Sequence, residues 1–260
     1  MQNEVKSMGK YAEEHRRSID KPEEFWSEQA EQLHWMKSWD KVLDDSSAPF
    51  FKWFVGGKTN LCYNAVDRHV EAGKGDKKAL IWESPEVGDS RTYTFAQLQK
   101  EVETCAAGLK EIGVSKGDRV LIYLPMVPEA IISMLACVRI GAIHSVVFAG
   151  FSFDSLADRI DDASPKAILT ADASTRKGKV IPLKEIVDKA LDRSSVDKAL
   201  VLNRGIQAYE SVETRDVDWA ELMKKNEGAK VPCEPLESTH PSYILYTSGT
   251  TVTPKGVVRD

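Results

Sequence analysis

The chain is 260 residues long, with 42% hydrophobic and 29% charged residues, proportions that fit a soluble globular protein and exclude a fibrous or disordered one. A net charge of -5 and a pI near 5.7 give no broad positive field, which excludes a general attraction to nucleic acid or to an anionic membrane. The longest apolar run, residues 130–138, meets Arg139 well short of the ~20 residues that a membrane helix needs, so no span is expected.

Residues 1–20 have no apolar signal-peptide core, and Glu4, Glu13 and Glu14 argue against an acid-poor presequence, so the expected compartment is cytoplasmic. At Lys21-Pro22-Glu23-Glu24 a proline in the first turn and acids near the amino end start a helix expected to reach about His34. Trp26, Trp35, Trp39, Phe50, Phe51, Trp53 and Phe54 make this first part rich in aromatics. They are either ligand-stacking faces or anchors that pin an arm onto a neighbouring domain, and anchoring is the simpler reading. Cys62, Cys105, Cys137 and Cys233 are widely spaced and form no Cys-x-x-Cys pair, so they read as small core residues rather than zinc or redox ligands.

From Lys78 onward short apolar runs alternate with amphipathic helices, the pattern of an α/β fold with parallel strands. Residues 79–82 are a strand candidate. Thr94-Phe95-Ala96-Gln97 is a capping box opening a helix with Leu98, Val102, Ala106 and Leu109 on one face and Gly113 at its end. A strand at 119–124, a helix from Pro128 to Gly141, a strand at 143–148 and a helix capped by Ser152 and running through Ile160 follow. Strands at 167–171 and 199–202 continue the alternation. Residues 203–238 read as a polar excursion with one short helix near Trp219.

The chemistry concentrates near the carboxyl end. A strand at 243–246 leads into Thr247-Ser248-Gly249-Thr250-Thr251-Val252-Thr253-Pro254-Lys255-Gly256, which offers hydroxyls, free backbone N–H groups and one ammonium to a polyphosphate. It does not match the Walker A spacing. Taken alone it is either a phosphate loop or an ordinary Ser/Thr/Gly turn. His69 and His144 stand beside no cluster of acids or cysteines and read as structural; Ser145 and Ser152 lack a nucleophile elbow; Asp161-Asp162 reads as the solvated end of a helix.

The segment 246–256 closely resembles the signature loop of the acyl-adenylate-forming superfamily. Phe25-Trp26, His34-Trp35, residues 53–57, residues 60–69 and residues 141–145 are similar to those of short-chain acyl-CoA synthetases, the acetyl- and propionyl-CoA synthetases, with 64–76, 248–251 and 257–260 leaning to the propionate enzymes. The resemblance implies an α/β fold in which residues 1–66 form an aromatic-rich arm packed on alternating strands and helices, with 67–260 as part of the large AMP-binding domain. It implies a ligase that uses ATP to convert propionate or acetate to acyl-AMP and then passes the acyl group to CoA. In that scheme Thr247, Ser248, Gly249, Thr250, Thr251 and Lys255 hold the ATP phosphates and orient the leaving pyrophosphate. The basic segment Arg176, Lys177, Gly178 and Lys179, an ordinary solvated loop on composition alone, would bind the phosphorylated ADP end of CoA, and Phe148-Ala149-Gly150-Phe151 corresponds to a turn near the same channel.

On the same resemblance the catalytic lysine, the acyl pocket and the magnesium ligands lie beyond this chain, so no catalytic residue and no metal site are assigned within it. The 260 residues are therefore expected to be inactive alone. Two alternatives are a stand-alone phosphate- or CoA-binding module and a non-catalytic subunit that pairs with a complementary chain. Val252 departs from the glycine usual in the signature, and is expected to weaken phosphate binding.

Overall fold

The computed structural model describes residues 2–85, 87–247 and 254–260, with side chains from Gly9 onward, and the chain divides into two units. The first comprises residues 1–59 and 235–239. Its helices α1 (Gln2–Asp20) and α2 (Pro22–Ala30) are joined by Arg17, whose guanidinium donates to Glu28 at 2.5 Å. Helix α2 starts where Pro22 and its acids place it, but stops four residues before His34. The reason is local: Trp35 Nε1 donates to the carbonyl of Ala30 at 3.0 Å, satisfying one of the open carbonyls of a helix end. Strands β1 (Lys41–Asp44) and β2 (Lys52–Val55) pair antiparallel, and β3 (Lys58–Thr59) follows. The aromatics pack on one another: ring centroids of Trp35, Trp39 and Phe54 lie 5.0–5.3 Å apart, and Trp26 meets Trp53 at 6.1 Å. Phe50 and Phe51 take no part and are exposed.

The second unit, residues 60–234 and 240–260, begins with two π-helical turns, Tyr63–Asp67 and Val70–Lys74. The hairpin β4 (Lys78–Ser84) and β5 (Asp89–Thr94) follows, so the first expected strand exists but pairs outside the main sheet. Helix α3 (Phe95–Glu111) opens with the capping box, Gln97 N donating to Thr94 Oγ1 at 3.2 Å and Thr94 N to Gln97 Oε1 at 2.9 Å. Then come β6 (Arg119–Tyr123), α4 (Pro128–Arg139), β7 (Ile143–Val146), α5 (Phe153–Ala163), β8 (Ala167–Ala171), β9 (Ser174–Arg176), β10 (Lys179–Ile181), α6 (Leu183–Leu191), β11 (Lys198–Leu202), β12 (Asp216–Asp218) and α7 (Trp219–Lys225). Strand β13 (Leu236–Glu237) returns to the first unit and pairs with β3. Strands β14 (Tyr243–Thr247) and β15 (Lys255–Arg259) complete the chain order.

The main sheet runs β12-β11-β8-β6-β7-β14-β15, parallel except for the last pair. Val120, Leu121, Ile122 and Tyr123 of β6 and all of β8 are buried, the continuous apolar run of a strand covered on both faces. Each such side chain contributes about 1.5–3 kcal/mol. The step from β6 through α4 to β7 goes one way along the sheet, and those through α5 and α6 go the other. Right-handed crossovers then put α4 on one face and α5 and α6 on the opposite face. Helix α3 packs on α4 and α5 on α6 accordingly.

The stretch 203–238 is more structured than its polarity suggests, since it holds β12 and β13 as well as α7. Its order comes from charge: the fully buried Lys184 ammonium meets Asp216 at 2.8 Å and Asp188 at 2.7 Å, and the carboxylate of Asp172 accepts from the backbone N–H groups of Arg204 and Ile206 at 3.1 and 2.7 Å. Apolar periodicity carries no trace of such a network.

Candidate functional site

A cavity of about 550 Å³ opens at the carboxyl ends of the parallel strands. Its wall takes Leu124 and Met126 from just past β6, Val146 to Gly150 from the end of β7 and the turn after it, Ser174 to Arg176 from β9, Arg204 from beyond β11 and Leu245 from β14. Connections leaving β6 and its neighbours go to opposite faces of the sheet, and such a parting of loops leaves a crevice where α/β proteins commonly hold ligands.

Arg176 to Lys179 is a two-residue hairpin. Strands β9 and β10 pair with Arg176 opposite Lys179, and the turn residues Lys177 and Gly178 have φ of 53° and 73°, as a type I′ turn demands. The Arg176 guanidinium lies over the Phe148 ring, 5.3 Å from its centroid. Phe148 in turn meets Phe151 edge-on at 5.7 Å. Gly150 allows this turn to close, because a Cβ there would stand 2.4 Å from the Phe148 ring. Arg176 and residues 148–150 thus share one wall, whereas Lys177, Gly178 and Lys179 do not line it.

Arg204 was not singled out from sequence. Its guanidinium donates to the carbonyl of Ala173 at 3.2 Å and faces the same cavity. A cation just past the carboxyl end of a parallel strand was the available signal. Among the described residues no carboxylate lines this cavity, so its chemistry is that of anion recognition beside an apolar wall.

Of the proposed phosphate loop, Thr247 and Lys255 stand opposite each other on β14 and β15. Ser248, Gly249, Thr250, Thr251 and Val252 lie outside the described residues. The strand entering the loop is tied down on both sides. Ser145 Oγ donates to the carbonyl of Ile244 at 2.9 Å, and Tyr246 Oη donates to Asp162 at 2.7 Å while its ring lies beneath the Arg159 guanidinium at 5.3 Å. Burial and the bond to Asp162 raise the Tyr246 phenol well above its ordinary pKa. Arg159 also covers the Phe151 ring at 4.7 Å, so contacts run from the loop strand through Phe151 and Phe148 to the hairpin that carries Arg176. Asp162 is therefore more than a solvated helix end: it anchors β14, and its neighbour Asp161 accepts from Ser194 at 2.5 Å.

Both histidines pack against aromatic rings. His144 stacks near Tyr243 at 5.7 Å, and burial pushes its pKa down to about 4, so it stays neutral. His69 packs on Phe95 at 4.7 Å, and its pKa is lowered chiefly by burial. Ser152 caps α5. No described helix is long and apolar enough to cross a membrane.

Comparison with known proteins is consistent with this arrangement. The family model "AMP-binding enzyme" matches residues 66–260, and the model "Acetyl-coenzyme A synthetase N-terminus" matches residues 11–65. The chain is 49% identical over 253 residues to the acetyl-coenzyme A synthetase of Deinococcus radiodurans, covering 96% of this chain and 38% of that protein. It is 49% identical over 252 residues to the propionate–CoA ligase of Escherichia coli K12, covering 96% of this chain and 40% of that protein. Among solved structures, the acetoacetyl-CoA synthetase from Streptomyces lividans superposes with a TM-score of 0.82 at 27% identity, over 94% of this chain and 37% of that one. The chain thus spans about two fifths of the length of the curated relatives it matches.

Proposed function

The chain belongs to the AMP-binding enzyme family, and we propose that it supplies the nucleotide- and CoA-facing part of an AMP-forming acid–thiol ligase acting on propionate or acetate. Residues 1–66 are read as its amino-terminal arm and 67–260 as part of the AMP-binding domain. The carrying observation is the cavity at the strand ends, lined by no carboxylate among the described residues, in which Arg176 rests on the Phe148 ring and Arg204 donates to the Ala173 carbonyl.

In the proposed reaction a carboxylate oxygen attacks the α-phosphorus of ATP, pyrophosphate leaves, and the thiol of CoA then displaces AMP from the acyl carbon. Thr247 and Lys255, with the loop between them, hold the β- and γ-phosphates and spread the charge that develops on the leaving group. Arg176 and Lys179 hold CoA phosphates, and Arg204 adds charge to the same wall. Phe148 supplies the apolar face beside them. Magnesium would travel with ATP. Asp162, a carboxylate beside β14, already accepts from Tyr246 and does not fit as its ligand, so no step is routed through the ion.

The relatives favour this reading over a stand-alone binding module or a subunit with a complementary chain, since each carries the name of a synthetase or ligase. A cytoplasmic setting fits the chemistry. The test is a chimera in which this chain replaces the matching segment of the E. coli propionate–CoA ligase. AMP formation that depends on propionate, ATP and CoA is expected; a folded chimera that forms none overturns the proposal.

A further inference from the structure

Cys62 and Cys233, far apart in the chain, meet at the buried Arg139–Asp67 pair. Helix α4 runs back across the sheet and ends at Arg139, at the edge opposite the cavity. There the guanidinium donates to both oxygens of Asp67 at 2.9 Å and to Cys62 Sγ at 3.4 Å. Cys233 Sγ donates to Asp67 Oδ2 at 3.6 Å, and the two sulfurs and that carboxylate lie within 4.8 Å of one another. The remaining charged groups at the cluster are Glu103, which accepts from Arg139 at 3.3 Å and from Lys230 at 2.7 Å.

We propose that Cys62 and Cys233 are an oxidisable dithiol, a modification site at which a peroxide converts two free thiols into one disulfide. Two features separate this pair from the other two cysteines. A cation touches Cys62, which is itself fully buried, and the half-buried Cys233 beside it gives the pair a side open to a small oxidant. Cys105 and Cys137 are equally buried and have neither, with Cys105 pushed up to about 12 by that burial. The neighbouring Cys233 thiol lowers the Cys62 pKa against the effect of burial, helped by the charge of Arg139. The proximity of Cys62 and burial raise Cys233. Cys62 is thus the nucleophile and Cys233 the proton holder, and a thiolate is the form that attacks.

The steps balance. The Cys62 thiolate attacks one oxygen of the peroxide; an S–O bond forms, the O–O bond breaks and hydroxide leaves, giving a sulfenic acid. The Cys233 sulfur then attacks Cys62; the S–S bond forms, the S–O bond breaks and water departs. Two thiols lose two electrons and two protons, and one hydrogen peroxide becomes two waters. The sulfurs must close to about 2.05 Å. Cys233 sits in irregular chain between α7 and β13, which adjusts more readily than a helix. A metal is the weaker occupant, because the Arg139 guanidinium already takes both oxygens of Asp67.

The test treats the chain with hydrogen peroxide, digests it without reduction and maps linked peptides by mass spectrometry. The expected product joins Cys62 to Cys233 and is lighter by two hydrogens than the reduced peptides together. The titre of free thiols falls by the same pair, and Cys105 and Cys137 remain free. Cys233→Ser should abolish the link. Because the wild-type map decides the matter, misfolding of that variant would not. An unchanged thiol titre where free cysteine is consumed, a link through Cys105 or Cys137, or sulfinic acid at either residue without a link would each overturn the proposal.

Discussion

Arg139 and Arg176 stand at opposite edges of one sheet, and their surroundings give the same side chain two different roles. Arg139 is fully enclosed and saturated: both oxygens of Asp67, one oxygen of Glu103 and the carbonyl of Val231 accept from it. Arg176 is exposed, rests on one aromatic face and has no carboxylate partner among the described residues. A saturated buried cation holds elements together and has nothing left for a ligand. An open one at the strand ends adds little to stability and keeps its charge for an anion. Three changes and one titration separate these roles.

Asp67→Ala should have the largest effect. It leaves the Arg139 charge in the core with its main partner gone, and breaking a buried pair from one side costs about 3–5 kcal/mol. Urea unfolding should show the midpoint falling by that equivalent, whereas Arg176→Ala should move stability by no more than about 0.5 kcal/mol. Equal shifts in the two variants would abolish the distinction.

Acid should attack the amino edge next. Burial holds His144 at about 4, below its ordinary value of 6.5, so the unfolded chain takes up this proton first. Its contribution is complete above pH 6.5 and is lost as the pH falls towards 4, by up to about 3 kcal/mol. Asp67 adds to the loss at lower pH: burial would raise its pKa, but the bonds from Arg139 and Gln99 bring it below normal, so its contribution holds above the unfolded carboxylate pKa and fades as pH drops through the folded one. Stability measured between pH 7 and pH 4 should therefore decline, and His144→Phe should flatten the first part of the curve. A flat wild-type profile would mean that His144 is charged in the fold.

Arg176→Ala carries the comparison to the other edge. Losing one charge-assisted hydrogen bond costs about 1.5–3 kcal/mol, so calorimetry should find CoA binding weaker by about tenfold to a hundredfold, with the unfolding midpoint unchanged. Unaltered CoA affinity would remove Arg176 from the site.

The strands and helices of the parallel sheet were legible because burial on two faces forces an unbroken apolar run at β6 and β8, and because Thr94, Pro128 and Ser152 mark helix starts chemically. What escaped the sequence was held by charge or by long-range pairing. Strand β12 follows from Lys184 meeting Asp216, and the Cys62–Cys233 pair from a guanidinium at the end of another helix, neither of which leaves a spacing to read. The site was half legible. Arg176 and residues 148–150 do share a wall, whereas Arg204 reaches it only because β11 lies beside β8. Most of the phosphate loop, Val252 included, lies outside the described residues.

The smallest expected effect belongs to Phe148→Leu. Leucine keeps an apolar side chain of similar reach but removes the π face on which the Arg176 guanidinium rests, 5.3 Å from the ring centroid. At an exposed site such a contact is worth about 0.5–1 kcal/mol, and it acts by holding the guanidinium where a phosphate would meet it. CoA binding should therefore weaken by about two- to fivefold, well short of Arg176→Ala. In the double variant the leucine should add nothing further, because its whole effect passes through the arginine. If the leucine still weakens binding when Arg176 is already alanine, the ring is touching the ligand itself, and the apolar wall of this cavity is a stacking surface rather than a support for the charge beside it.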